Sequence, residues 1–84
     1  MDLGKSIEEA VVILEELNKE SSLPKNIRNK IQEAVSILKS DIELPIKVNK
    51  VLSEFEEISD DNNLEPYIRT QIWHVVSILE KINH

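Results

Sequence analysis

Apolar residues recur along this chain every three to four positions, and nowhere do four or more alternate in the manner of a strand. That spacing predicts four amphipathic helices. The first is expected from Ser6 to Lys19, with Ile7, Ala10, Val11, Leu14 and Leu17 on its inner stripe. The second is expected from Pro24 to Ser40, with Ile27, Ile31, Ala34, Val35 and Leu38 inward. The third is expected from Pro45 to Ser59 around Val48, Val51, Leu52, Phe55 and Ile58. The fourth is expected from Glu65 to Ile82 around Ile68, Ile72, Val75, Val76 and Leu79. Ser6 and Glu9 have the spacing of a capping box, in which hydroxyl and carboxylate satisfy each other's backbone amides. Pro24 suits a first helical turn, where a missing N–H costs nothing, and Asn63 suits a cap.

The stripes repeat. A shift of 41 residues lays Ile7–Ser40 on Val48–Lys81 without a gap. Ten of the 34 aligned positions are then identical: Glu15, Glu16, Leu23, Ile27, Arg28, Ile31, Val35, Ser36, Ile37 and Leu38 meet their own kind. A weaker half-period places Leu3, Leu23, Leu44 and Leu64 each four residues before a stripe position. Adjacent turns of a helix bring such pairs together, so these leucines are expected to fold over the ends of the core. The expected organisation is one domain over residues 1–84, built from hairpins at about 5–41 and 45–83. Its fold class is all-α: an antiparallel four-helix bundle from two repeated helical hairpins, since short links make successive helices antiparallel neighbours. A period near 40 also suits a two-helix solenoid unit, but a solenoid needs about three units to bury its faces. An open two-repeat array is therefore the alternative to a closed bundle.

Composition agrees with a small globular domain. Hydrophobic residues make up 40% and charged residues 31% of the 84, too apolar for a disordered chain and too charged for a membrane-embedded one. No apolar run reaches the ~18–20 residues of a membrane span, and Met1–Ser6 has no signal-peptide pattern. The absence of cysteine excludes disulfides and thiolate chemistry. A cytoplasmic setting is expected. The net charge of −6, with a pI near 4.8, weighs against nucleic acid, whose binding rests on cations set against phosphates. It favours basic partners.

Signals for chemistry are sparse, and no catalytic, cofactor or metal residue is assigned. One glycine cannot build a phosphate loop. His74 and His84 lack the spacing of a helical metal site, so His74 reads first as a surface histidine and His84 as part of a frayed terminus. Asp60-Asp61-Asn62-Asn63 lacks the central glycine and distal glutamate of a calcium loop and reads as a polar turn. Glu15-Glu16 and Glu56-Glu57 flank stripe positions and read as solvated faces.

Arg28 and Arg69 hold equivalent early positions in helices 2 and 4, where a cation opposes the helix dipole. A bidentate pair with a carboxylate at a neighbouring helix end is the expected reason, with an anion or partner contact as the alternative. Lys25, Arg28 and Lys30 gather towards the end of a bundle where Glu54–Asp61 place five acids, so the two groups are expected to neutralise each other within or between molecules. Val12 falls opposite the stripe of helix 1, and Ile13, Ile37, Ile78 and Trp73 fall on flanks. Trp73, Tyr67, His74 and Val12 are the candidate partner-binding residues, because large apolar groups off the stripe serve interfaces. Tyr67, Trp73 and His74 also break the repeat, standing where hairpin 1 has Asn26, Gln32 and Glu33.

Three segments resemble a known family: Ile7-Glu8-Glu9-Ala10-Val11, Leu23-Pro24-Lys25-Asn26-Ile27-Arg28 and Leu64-Glu65-Pro66-Tyr67-Ile68-Arg69. Together they make the whole chain similar to the archaeal uncharacterised protein family zero-one-four-seven. The resemblance implies an archaeal cytoplasmic four-helix protein and supplies no activity, cofactor or site. The residues themselves favour a non-catalytic module that binds a protein partner or itself. The alternative is a nucleic-acid accessory protein using Lys25, Arg28 and Lys30.

Overall fold

Four helices form where the apolar stripes fall. In the computed structural model, which describes residues 3–59 and 64–82, they are α1 (Leu3–Leu17), α2 (Lys25–Lys39), α3 (Leu44–Ser59) and α4 (Pro66–Ile82). The polar turn at Asp60–Asn63, the cap expected at Asn63, and His84 lie outside the described residues, as does the side chain of Leu3.

Two helices begin earlier than their local sequence suggests. α1 starts at Leu3, so Ser6 lies inside the first turns and does not cap them. The expected capping box is therefore not used. The start follows the repeat: α3 begins at Leu44, one repeat length after Leu3. Pro45, second in α3, and Pro66, first in α4, occupy positions where no intrahelical N–H is required. Pro24 sits immediately before α2 as its N-cap, with φ −58° and ψ 146°, and its carbonyl accepts the Arg28 amide at 2.9 Å. α1 unwinds through turn bonds from Lys19 N to Glu16 O and Glu20 N to Leu17 O. α2 stops at Ser40, whose amide and hydroxyl both donate to Ile37 O, at 3.1 and 2.6 Å.

Each helix packs on two others, in the ring α1–α2–α3–α4–α1. The α1–α4 seam closes the bundle, so the open two-repeat array is not what forms. The physical reason is stoichiometric: two hairpins each carry one apolar face, and each face covers the other.

The core comes from the stripes. Ala10, Leu14, Ile31, Ala34, Val48, Val51, Phe55, Ile72, Val75 and Leu79 are fully buried, and no polar or charged residue is buried among the described residues. Leu23 and Leu64 close over the ends of the core as expected, while Leu44 packs against it half-buried. Ile7, Val35 and Leu52, assigned to stripes, are only partly buried and pack against the edge of the core. Val12 is exposed on the outer face of α1.

Candidate functional site

The cations at the starts of helices act on the helices before them. The Arg28 guanidinium, partly buried, donates from Nη1 to Asn18 O and from Nη2 to Glu20 O, the latter at 2.8 Å. Both acceptors lie just past the end of α1, where carbonyls have lost their intrahelical partners and the dipole is negative. This corrects the expected carboxylate pair: the planar fork grips two backbone carbonyls. Antiparallel packing explains the location, since the start of α2 lies beside the end of α1. Lys47 does the same for α2, donating to Leu38 O at 3.2 Å and Ser40 O at 3.3 Å. The backbone amide of Arg69 donates to the carbonyl of Glu65, immediately before α4, at 3.0 Å. One repeat on, Ser59 and Asp61 stand at the positions of Asn18 and Glu20, and Asp61 lies outside the described residues.

The α2–α3 seam is ionic. Lys30 Nζ lies 3.1 Å from Glu57 and 3.6 Å from Glu54, so Lys30 of the basic group meets two acids of the α3 run within one molecule, while Arg28 turns to the end of α1. The hydrogen bond that Lys30 donates to Glu57, followed by the nearby Glu54 charge, raises the Lys30 pKa above its ordinary value of 10.5 despite a desolvation cost. A raised folded-state value means the pair stabilises fully below the ordinary pKa, and the contribution fades as pH climbs through the folded value. Urea midpoints of Lys30→Met should therefore lie below wild type at neutral pH, and the two should converge in strong alkali. A gap that stays constant to about pH 12 would mean that the lysine charge contributes nothing. On the adjacent seam of α1 and α2, Lys39 pairs with Glu15 at 3.2 Å.

The four partner-binding candidates do not form one patch. Val12 (57% exposed) and Tyr67 (56%) line one cleft of about 230 Å³ on the α1–α4 seam, together with Ile13, Glu16, Leu17 and Gln71. His74 lines a second cleft on that seam, beside Glu9 and Lys81. Trp73, also 56% exposed, is six residues from Tyr67 and so about 120° away around α4. It lines neither cleft. Val12 further borders an apolar cleft between α1 and α2, with Ile7, Val11 and Leu38. Glu15, Glu16, Glu56 and Glu57 are exposed, as solvated faces require.

Ile13, Gln71 and Lys47 were not among the candidate site residues read from the sequence. The signal for the first two lay in the repeat. Val12, Ile13, Tyr67 and Gln71 stand where the α2–α3 seam has Ser53, Glu54, Asn26 and Lys30. Lys47 has no such mark, because its acceptors are backbone atoms. Among the described residues, no group of three or more His, Asp or Glu side chains is placed to hold a metal ion, and no helix is long and apolar enough to cross a membrane.

The fold and its seams define a small closed four-helix module in which one hairpin pattern occurs twice. The profile of "Uncharacterised protein family (UPF0147)" matches residues 1–82, and the chain belongs to that family. A UPF0147 protein of Methanosarcina mazei is 37% identical over 82 residues, spanning 96% of this chain and 88% of that protein. One from Sulfurisphaera tokodaii is 32% identical over 82 residues, spanning 96% and 92%. Both relatives are archaeal. The crystal structure of a UPF0147 protein from Thermoplasma acidophilum superimposes with a TM-score of 0.88 at 29% identity, covering 94% of each chain.

Proposed function

We propose that this protein is a non-catalytic protein–protein interaction module acting in the cytoplasm. The observation that carries the reading is the α1–α4 cleft, where exposed Val12 and Tyr67 stand with Ile13 and Leu17 in a bundle whose core is already closed. Exposed apolar residues gathered in a concave seam are the usual anchor of a binding surface. Scattered single apolar residues would carry no such weight. The nucleic-acid alternative loses support, because Arg28 and Lys30 are engaged with Asn18, Glu20, Glu54 and Glu57 of their own chain. Lys25 alone is a weak footprint for phosphates.

Tagged protein passed through native extract should retain a partner, and Val12→Asp combined with Tyr67→Asp should release it. Size exclusion with light scattering checks self-association on the same samples. A strictly monomeric wild type that retains nothing would overturn the reading.

A further inference from the structure

We infer that the α1–α4 seam receives a cationic amphipathic helix from another protein, whose basic side chain takes at Glu16 the place that Lys30 takes at Glu57. The inference rests on the interaction reading above and names the chemistry of the partner.

The argument is a comparison of two seams related by the repeat. Between α2 and α3, Lys30 reaches across to Glu54 and Glu57, and Ser53 and Asn26 are polar neighbours. Between α1 and α4 the same positions hold Gln71, Ile13, Glu16, Val12 and Tyr67. One acid is kept and the other is apolar. The lysine is gone, and the two polar neighbours have become a valine and a tyrosine. Both seams carry a cleft: that on α2–α3 is lined by Ser53, Glu54 and Glu57, whereas that on α1–α4, of about 230 Å³, is lined by Val12, Ile13 and Tyr67 with the Glu16 carboxylate on its rim. Glu16 pairs with Lys19, 3.5 Å away and one turn along the chain. Both side chains are about two-thirds or more exposed (67% and 74%), so the pair is weak and exchangeable.

Charge selects the occupant. The helical neighbours of Val12 at three and four residues either side are Glu8, Glu9, Glu15 and Glu16, all exposed. Lys39 offsets Glu15 and Lys19 offsets Glu16. Glu8 and Glu9 add two further exposed carboxylates beside Val12. An apolar anchor ringed by carboxylates complements an apolar side chain flanked by lysine or arginine. A second copy of this chain fits poorly, because a twofold contact would set the Glu16 seams against each other.

The test uses a helical peptide with leucine on one face and lysine on the other, and a control with glutamate in place of lysine. Amide shifts in the intact protein should centre on Val12, Ile13, Glu16, Tyr67 and Gln71 for the lysine peptide only. Gln71→Lys rebuilds the cation of the α2–α3 seam within the chain. It should leave the melting temperature unchanged or higher and weaken peptide binding about tenfold or more. Val12→Ser, which copies Ser53, should weaken it as well. Equal binding of the glutamate peptide, shifts centred on Glu54 and Glu57, or unaltered affinity in Gln71→Lys would each overturn the inference. Extract experiments separate the two levels. A partner retained by Gln71→Lys but lost from Trp73→Ala overturns only the seam assignment, whereas no partner on wild type overturns the interaction reading itself.

Discussion

Replacing Phe55 with alanine should destabilise the bundle by about 3–5 kcal/mol. Phe55 is fully buried and is the largest side chain in the core. A chain of this length has roughly 4–13 kcal/mol of total stability, so one substitution removes about a quarter or more of it, and the variant should be partly unfolded on warming. The size of the effect comes from lost transfer energy and from the cavity left among rigidly packed neighbours. Phe55→Leu is the informative companion. Leu14 occupies the equivalent place in hairpin 1 and is also fully buried, so the fold already accommodates leucine there once. Its cost should stay near 1 kcal/mol. Urea unfolding followed by far-UV circular dichroism is the right measurement. Fluorescence is a poor reporter, because Trp73 is already in water in the folded state. Phe55→Ala losing less than about 1 kcal/mol would mean that the core repacks freely, contrary to its close packing.

The stripes that build this core were legible in sequence because burial on a helix has a period, and the 41-residue repeat showed the same stripe twice. Ala34 and Val75, or Leu14 and Phe55, could be paired before any coordinates. The choice between ring and open array was not legible. The same hairpin serves both, and only the packing of α1 on α4 distinguishes them. Helix starts misled for a local reason: Ser6 and Glu9 have cap spacing, yet Leu3 through Lys5 extend the helix past them. Local capping is worth about 1 kcal/mol, too little by itself to fix where a helix starts.

The candidate site was half legible. Val12 and Tyr67 stood out as apolar residues off the stripe, and the structure brings them into one cleft. Trp73 stood out equally, but its place on the far flank of α4 follows from the helical angle. The substitution of Gln71 for Lys30 was visible in the alignment, but its meaning was not. A glutamine on a helix flank is unremarked until the lysine it replaces is seen bridging two glutamates across a seam.

Arg28→Ala should cost about 1.5–3 kcal/mol, the second large effect expected in this chain. The partner of Arg28 had no sequence signature, since backbone carbonyls belong to every residue. At its own helix start the arginine meets an adverse dipole worth about 0.3–1 kcal/mol. Two charge-assisted bonds to Asn18 O and Glu20 O outweigh that penalty, and a partly buried guanidinium keeps them from water. Arg28→Lys should be milder, because Lys47 shows an ammonium reaching two carbonyls at the end of α2. It loses the fork but keeps the charge. Hydrogen exchange should quicken selectively at the amides of Asn18, Lys19 and Glu20, whose bonds hold the turn after α1. Salt supplies the decisive comparison. A carboxylate pair in solvent would lose most of its worth in molar salt, where the Debye length is about 3 Å. A clamp on carbonyls should keep most of its effect, so the gap between wild type and Arg28→Ala should persist. A gap that vanishes in salt, with exchange unchanged after α1, would show that the guanidinium works through charge alone and that α1 ends without its help.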